Sequence, residues 1–442
     1  MRKVFVFFVF LFYSVLIADN NYLDSIISDL KSNPDIKSIE KVKTTKPFVA
    51  TYRIFINQKL DHFSDNSKTF SQQIYFSYVD SSRPNVLVTE GYDIYGNFTR
   101  ELSKLLNANQ IVVEHRFFNK SVPENIEWKY LNIKQEAADY HYILFIFKKY
   151  LKGKWVSTGR SKGGQTTLFY RRFYPDDVYA SVPYVAPFNF ALEDPRIDSF
   201  IVNNGSKECR DKILNFQLHI LDNEDKCIDI FKKWAKKNKV SFDLIGIEKI
   251  FEYAVLEYPF TFWQWGNTSC DSIPINCNEQ AKLFKHLSKV IPLRGYYSDK
   301  SVKASYPAFY QFCTQLGYYG YYYNDKEVLD KLKYLKHPTN LDFTPPNVEI
   351  RYDPNAMKDV KNWINSGGLN RFLMIYGELD PWRATAIDIP DNGKDSYKFI
   401  LKGGNHRAKI LDFPFEERME IFNILEKWFD VKIDNKFKER NK

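Results

Sequence analysis

The sequence predicts an α/β protein whose mainly parallel sheet is covered by helices on both faces and interrupted by a large, mostly helical insertion. Short apolar, β-branched runs alternate with helical patterns from about residue 85 to residue 185. Apolar strands that alternate with helices are typical of parallel sheets buried on both faces. The alternation stops near Asn189 and resumes only after Arg351. The stretch between them is helical, aromatic and cysteine-bearing, which indicates a cap that helps the sheet to enclose a site.

Six strands are expected before the insertion and two after it. The first two are an antiparallel pair, and the expected strands cover residues 52–56, 73–79, 85–89, 111–114, 155–158, 180–185, 372–376 and 397–401. Helices are expected at residues 99–106, 133–151 and 164–173. The cap therefore follows the sixth strand. The expected divisions are a first core segment at residues 19–188, the cap at residues 189–350 and a second core segment at residues 351–442.

The length and composition favour a large globular protein. A chain of 442 residues can form one large domain with an insertion, or two domains. Hydrophobic residues make up 44% of the chain and aromatic residues 17%, which excludes a disordered composition. The net charge of +9 comes from 63 basic and 54 acidic residues that are spread along the chain. No basic block marks a nucleic-acid arm, so we predict no nucleic-acid partner.

Residues 1–18 have the layout of a secretory signal peptide. Arg2 and Lys3 precede an apolar run from Val4 to Ile17, and polar residues follow Ala18. The run is too short to span a bilayer comfortably, since a spanning helix needs roughly 20 apolar residues. We therefore expect cleavage near Ala18 and a secreted or otherwise exported protein with no stable membrane anchor. The alternative is a buried N-terminal helix.

The five cysteines all lie between Cys209 and Cys313, within the insertion. An exported protein can form disulfides, so we expect at least one bridge in the cap. Cys209 with Cys227, and Cys270 with Cys277, are the close pairs and leave Cys313 odd; Cys209 with Cys227 is our first choice, although the sequence alone does not fix the pairing. No metal-ligand spacing such as two C-x-x-C pairs occurs. We therefore predict neither a metal site nor a cofactor.

The stretch WVSTGRSKGGQ, residues 155–165, contains a candidate nucleophile. Gly159, Ser161 and Gly163 form the pattern G-x-S-x-G between an expected strand and an expected helix, which is the context of a nucleophile elbow. Side chains two positions before and after the serine would collide at this strained turn, so both positions need glycine. The alternative is a phosphate-binding loop, which needs G-x-x-x-x-G-K-[ST]. Neither Gly-Lys pair of the sequence is followed by Ser or Thr.

A nucleophilic Ser161 needs a base and an acid that orients the base. In the α/β-hydrolase order, the acid and then the histidine follow the serine, each on a loop after a later strand. Asp380 follows the expected strand at residues 372–376, with Glu378 as the substitute acid, and His406 follows the next strand. The other six histidines precede Ser161 or fall in the insertion. The sequence thus predicts an α/β-hydrolase fold with Ser161, Asp380 and His406 as a catalytic triad.

The same fold predicts an oxyanion hole next to the serine. Its first donor is the backbone N–H of Lys162. Its second donor is an N–H of the loop after the third expected strand, at Tyr92 or Gly91, where glycine permits a close approach. The H-G-G-G pattern of many lipases is absent from the sequence.

Several stretches together resemble the secreted tripeptidyl and prolyl tri/tetrapeptidyl aminopeptidases, which are serine exopeptidases of α/β-hydrolase fold. The stretches are TEGY at residues 89–92, VEHRFF at 113–118, STGRSKGG at 157–164, YVAP at 184–187 and GELDPW at 377–382. The resemblance extends over roughly residues 54–429. It implies that Ser161, Asp380 and His406 are the triad. It also implies release of short peptides from a free N-terminus, and it allows cleavage after proline.

A free N-terminus is an ammonium group, which a buried carboxylate binds well because the charge pair is shielded from water. Glu90 and Glu114 end two expected strands, at the sheet edge where active sites collect, and both are candidates for this role. The alternative for Glu114 is a structural ion pair with Arg116. The tyrosine-rich run at residues 317–323 either lines a pocket for apolar or prolyl side chains or packs the cap against the core.

Two other functions compete with the aminopeptidase. A lipase or esterase on the same fold would hydrolyse acyl esters and ignore peptides, and the missing H-G-G-G pattern argues against it. A non-enzymatic binding protein on a hydrolase scaffold would have no need of Ser161, Asp380 and His406 together.

Overall fold

The computed structural model describes residues 21–275 and 277–439, so the predicted signal peptide lies outside the described residues. Nine strands form one sheet in this part of the chain. They are β1 (Ile36–Val42), β2 (Ala50–Lys59), β3 (Thr69–Tyr78), β4 (Asn85–Thr89), β5 (Asn109–Val113), β6 (Trp155–Arg160), β7 (Ala180–Tyr184), β8 (Leu373–Gly377) and β9 (Tyr397–Leu401). Their order across the sheet is β1-β2-β3-β5-β4-β6-β7-β8-β9. The first four strands in this order, β1, β2, β3 and β5, pair antiparallel with one another. From β5 through β4 to β9, all neighbouring strands are parallel.

Helices cover the sheet and build the cap. The helices are α1 (residues 21–32), α2 (Glu101–Leu106), α3 (Ile133–Lys148), α4 (Lys162–Phe173), α5 (Pro195–Ile201), α6 (Lys207–Asp222), α7 (Glu224–Asn238), α8 (Ile247–Trp265), α9 (Gln280–Val290), α10 (Leu293–Tyr297), α11 (Asp299–Gln311), α12 (Lys326–Asp330), α13 (Pro354–Trp363), α14 (Phe415–Phe429) and α15 (Asn435–Lys438). Within residues 21–275 and 277–439, none of them is long and apolar enough to cross a membrane.

Helices pack on both faces of the sheet, as its apolar strands require. On one face, Leu105 of α2 and Leu425 of α14 share a core with Val156 of β6. On the other face, α1 and α3 contribute Ile26 and Phe147 to a second core. All five residues of β4, and all five of β7 and β8, are buried. The predicted α/β-hydrolase fold is confirmed.

One strand was not predicted. β1 lies at the sheet edge and pairs with β2 alone. Its sequence IKSIEKV places apolar residues at every third position, whereas a strand with one buried face shows them at every second. A register shift between Ile36 and Ser38 accommodates the mismatch. Counted in the structure, the cap therefore follows the seventh strand instead of the sixth.

The cap lies between β7 and β8 in the chain and has its own core. α8 is its central helix, with fifteen consecutive residues from Ile250 to Gln264 buried. A helix that is apolar on all sides is expected to be buried. Pro259 lies inside α8 and has no N–H for the Val255 carbonyl. Gln217 of α6 replaces that donor, since its side-chain amide lies 2.9 Å from the Val255 oxygen.

The disulfide predicted between Cys209 and Cys227 is wrong. Cys209 instead bonds to Cys270, with their Cα atoms 5.3 Å apart. Cys209 lies in the first turn of α6, whereas Cys227 follows the end of that helix. The thirteen positions from Cys209 to Asp222 rise about 20 Å along α6, and Cys227 follows Asp222 by too few residues for the chain to return to within the roughly 7 Å that a disulfide can bridge. Cys227, Cys277 and Cys313 have free thiols.

Candidate active site

Ser161 occupies a sharp turn between β6 and α4. Its φ of 55° and ψ of −125° are uncommon for any residue other than glycine. A Cβ at Gly159 would lie 2.2 Å from the Gly163 carbonyl oxygen, and one at Gly163 would lie 2.5 Å from the Thr89 oxygen. The Ser161 N–H donates to the Tyr184 carbonyl of β7 at 2.9 Å. Close backbone packing therefore holds the turn in its strained conformation and leaves no room for side chains at the two glycines.

Asp380 and His406 lie together beyond the ends of β8 and β9. His406 Nδ1 lies 2.6 Å from Asp380 Oδ2, and both side chains are buried. An ionised carboxylate only accepts hydrogen bonds, so Nδ1 carries the proton and Nε2 is free to act as a base. The N–H of Trp382 donates to the other Asp380 oxygen at 3.2 Å. Glu378, the substitute acid, instead accepts from the backbone N–H of Gly403 at 2.7 Å.

The loop that carries His406 is held from two sides. From the elbow, Arg160 donates to the His406 carbonyl at 2.6 Å and to the Ala408 carbonyl at 3.1 Å. From the cap, the Gln264 carbonyl of α8 accepts the His406 N–H at 3.0 Å, and the Trp265 ring lies edge-on to the imidazole at 5.3 Å. Sequence reasoning assigned no role to Arg160. Its position one residue before the serine was the signal that could have suggested one.

The expected oxyanion donors lie around the first turn of α4. Lys162 is the first residue of α4, where no carbonyl of the same helix can reach the N–H groups. A Cβ at Gly91 would lie 2.6 Å from the Gly163 nitrogen, so the loop after β4 touches the elbow. Tyr92 lines the cavity that contains Ser161. The loop after β4 and the start of α4 are thus in contact, as an oxyanion hole requires.

The Lys162 side chain turns away from the cavity into a buried cluster. Its Nζ lies 3.1 Å from His115 Nε2, which lies 2.8 Å from a Glu136 oxygen. Burial lowers the pKa of Lys162 to about 8, although Glu136 opposes the shift. Burial alone would raise the pKa of Glu136, but His115 and Lys162 together lower it to about 2. Gln311 of the cap donates to the same carboxylate at 3.0 Å, so the cluster joins the elbow, α3 and the cap.

Of the two carboxylates predicted to bind the substrate N-terminus, Glu90 lines the cavity and Glu114 does not. Glu90 forms an ion pair with Arg100, and its side chain is 20% exposed. Burial raises the pKa of Glu90, and Arg100 opposes the shift.

Glu114 is fully buried, and it accepts hydrogen bonds from Ser121 at 2.7 Å and from the Ile94 N–H at 3.1 Å. Its alternative ion pair with Arg116 is also absent, because Arg116 forms a bidentate pair with Asp139 at 2.7 Å. The geometry therefore gives Glu114 a structural role, as an acceptor that holds the loop after β5.

A cavity of about 890 Å³ lies between the sheet edge and the cap. Ser161 and His406 line it on the side of the sheet, and Glu257, Gln264 and aromatic side chains line it on the side of the cap. Its volume is in the range of cavities that enclose small ligands.

The tyrosine-rich run at residues 317–323 lines the cavity and also packs the cap against the core. Tyr318, Tyr319 and Tyr321 line the cavity. Tyr319 also belongs to the cap core, where its ring stacks on Phe260 with centroids 3.9 Å apart. Tyr318 and Tyr319 contact Trp382, two residues after Asp380. The run thus packs the cap against the catalytic loop and forms a cavity wall at the same time.

Sequence reasoning missed Glu257. It is 3% exposed and lines the cavity from the middle of α8. Both of its oxygens lie within 3.0 Å of the Tyr319 hydroxyl, and Thr261 donates at 2.9 Å. Burial raises its pKa to about 8. A lone glutamate inside the apolar run AVLEYPFTFW was the available signal.

The arrangement has the parts of an acyl-transfer site. A serine on a strained elbow, a buried His-Asp pair and backbone donors at a helix start lie at the carboxyl end of a parallel sheet, where ligands of such sheets bind. The cap closes over them.

Comparison with known proteins identifies the family. A model of the PS-10 peptidase S37 family matches residues 23–438. The chain is 32% identical over 410 residues to the prolyl tri/tetrapeptidyl aminopeptidase of Streptomyces mobaraensis, covering 90% of this chain and 83% of that protein. It is 21% identical over 427 residues to the probable serine protease EDA2 of Arabidopsis thaliana, covering 84% of each. The solved proline iminopeptidase of Mycobacterium smegmatis is 12% identical, with a TM-score of 0.37 over 84% of this chain and 98% of that chain. The chain therefore belongs to the PS-10 peptidase S37 family and is a serine peptidase of the α/β-hydrolase fold.

Proposed function

We propose that this peptidase is secreted and that it removes short peptides, of three or four residues, from the free N-termini of its substrates, including after proline. The observation that carries the proposal is the capped cavity, because Ser161 and His406 lie at one end of it and a buried carboxylate lies in the cap. The name of the Streptomyces mobaraensis relative supports the product length and the preference for proline. Secretion is proposed from the pattern of residues 1–18.

The proposed reaction follows from the positions of the three candidate side chains. His406 Nε2 takes the hydroxyl proton of Ser161 as Oγ attacks the scissile carbonyl, while Asp380 holds the imidazole and stabilises its positive charge. The oxyanion accepts hydrogen bonds from the N–H of Lys162 and from that of Tyr92 or Gly91. His406 then gives the proton to the departing amine. Water, activated by the same base, hydrolyses the acyl-enzyme and releases the short peptide.

Substituting the nucleophile tests the proposed triad. Ser161→Ala should abolish peptide turnover and labelling by a fluorophosphonate probe while the protein keeps its thermal melting temperature. Loss of a triad member commonly lowers kcat by several orders of magnitude. The measurement is probe labelling followed by mass spectrometry of the labelled peptide. Labelling of another serine would contradict the assignment of Ser161.

Two carboxamide variants provide the matched control for the acid. Asp380→Asn should lower kcat by about 10⁴-fold without unfolding the protein, because the amide no longer holds His406 in the required tautomer. Glu378→Gln should retain most of the activity, since Glu378 contacts the Gly403 N–H instead of the imidazole. The opposite ranking would identify Glu378 as the catalytic acid.

A further inference from the structure

Four carboxylate side chains line the cavity, namely Glu90, Glu101, Glu257 and Asp412. Glu90 is paired with Arg100. Glu101 accepts the N–H groups of Ile410 and Leu411 at 3.0 and 3.1 Å, and Asp412 is exposed to solvent.

Glu257 differs from the other three. It is almost fully buried, and its hydrogen-bond donors are the neutral hydroxyls of Tyr319 and Thr261. None of the ion pairs within residues 21–275 and 277–439 involves it. A buried carboxylate without a cation is unfavourable in its ionised form, which is why its pKa is raised to about 8. A cation that enters the cavity would supply the missing partner.

The walls around Glu257 also suit a cation. Tyr296, Tyr297, Tyr318, Tyr319 and Tyr321 line the same cavity. Aromatic ring faces attract ammonium groups, and the attraction increases where water is excluded. Lysine and arginine are absent from this part of the wall; the basic residues that line the cavity are Arg100, Lys104, Arg160 and Lys409, in the core segments. The cap end of the cavity is therefore acidic and aromatic.

We propose that Glu257 binds the α-ammonium group of the substrate, and that α8 sets the distance between this anchor and the catalytic centre. The proposal rests on the proposed aminopeptidase function. It replaces Glu90 and Glu114 as the binding carboxylate, because one is already paired with an arginine and the other lies outside the cavity.

The distance along α8 between Glu257 and Gln264 fits a short peptide. Glu257 and Gln264 are seven positions apart, almost two full turns, so both face the cavity. At a rise of 1.5 Å per residue, they are separated by about 10.5 Å along the helix. The Gln264 carbonyl accepts the His406 N–H at 3.0 Å, so the C-terminal end of this interval is tied to the loop that carries the proposed base. An extended peptide rises about 3.3 Å per residue, so the interval corresponds to about three residues.

The experiment compares two substrates in each enzyme, Ala-Ala-Pro-p-nitroanilide with a free and with an acetylated N-terminus. Rates are normalised to the amount of enzyme that a fluorophosphonate probe labels, so partial misfolding does not affect the ratio. The wild-type enzyme should prefer the free peptide by about 10- to 100-fold in kcat/KM, since acetylation removes the ammonium group that would pair with the Glu257 carboxylate. Glu257→Gln should reduce that preference towards one, mainly through a higher KM for the free peptide.

Two further variants are matched controls. Glu252→Gln changes a buried glutamate of the same helix that lies outside the cavity lining, and it should keep the preference. Glu90→Gln should keep it as well. If Glu90→Gln removes the preference and Glu257→Gln does not, the inference is overturned in favour of Glu90. A wild-type enzyme that treats both substrates alike would instead contradict the proposed function itself.

The proposed distance between the Glu257 anchor and the catalytic centre can be tested with wild-type protein alone. Digestion of a library of free-N-terminus peptides, read by mass spectrometry, should release mainly three-residue products, with four-residue products as the next class. A majority of products of two residues, or of five and more, would show that α8 does not set the distance.

Discussion

Three consecutive residues at the elbow contact three different parts of the molecule. Ser161 faces the cavity, Arg160 holds two carbonyl groups of the His406 loop, and the Lys162 side chain joins the buried cluster with His115 and Glu136. Each neighbour of Ser161 thus fixes the position of the elbow relative to a different element. A change of the Arg160 or Lys162 side chain is therefore expected to affect catalysis through the positions of Ser161 and of the His406 loop.

The raised pKa of Glu257 gives a prediction for stability against pH. A carboxyl whose folded pKa lies at about 8, above its usual value near 4.5, stabilises the fold fully below pH 4.5. That contribution is lost as the pH rises from about 4.5 towards 8, because the carboxyl of the unfolded chain ionises in this range while the buried one stays protonated. The facing groups are the hydroxyls of Thr261 and Tyr319, with Tyr296 and Tyr297 nearby. Burial raises the pKa values of these tyrosines, so they stay protonated throughout this range.

The measurement is the melting temperature of ligand-free wild-type and Glu257→Gln protein between pH 5 and pH 8. The wild type should lose stability relative to the variant as the pH rises, because glutamine keeps the hydrogen bonds and cannot ionise. One pKa unit corresponds to about 1.4 kcal/mol, so a thermal melt should resolve the difference. Parallel curves for the two proteins would show that Glu257 ionises normally.

At the scale of elements, the sequence determined strands better than contacts between distant segments. β4 and β9 have the predicted bounds, because short runs of mainly apolar and aromatic residues between turn residues leave little freedom. The G-x-S-x-G pattern identified Ser161 from sequence because both glycines are required by close contacts within the turn itself. β1 was missed because its apolar spacing is not that of a strand. Glu257 was missed because a helix pattern does not show which of its faces borders a cavity.

The disulfide is the element that ties α6 to the segment after α8. Since Cys209 and Cys270 are 61 residues apart, a bridge between them should stabilise the cap by about 4 kcal/mol through the entropy of the unfolded loop. Thiol counting on unfolded, unreduced protein should find three free thiols, and peptide mapping should link these two cysteines. Replacing both by serine should lower the melting temperature. Five free thiols, or a peptide that links Cys209 to Cys227, would contradict the structure.

At the scale of the whole molecule, the cap supplies one wall of the cavity that contains Ser161. A wall on that side would obstruct a long chain that has to extend past Ser161 in both directions. We therefore expect no internal cleavage of casein under conditions in which short free-N-terminus peptides are consumed. Intact mass and peptide mapping of the casein provide the measurement. Internal cuts would show that the cap opens widely enough to admit a loop of polypeptide.

α8 belongs to the cap, yet its last turn holds the N–H of His406 through the Gln264 carbonyl. Any opening that lifted α8 from the sheet edge would break this hydrogen bond and leave the His406 loop without its contact from the cap. The open enzyme would then load substrate and discharge product with its base misaligned. Bond cleavage would be confined to the closed state. Bulk water that enters while substrate and product exchange would therefore meet a site that cannot activate it.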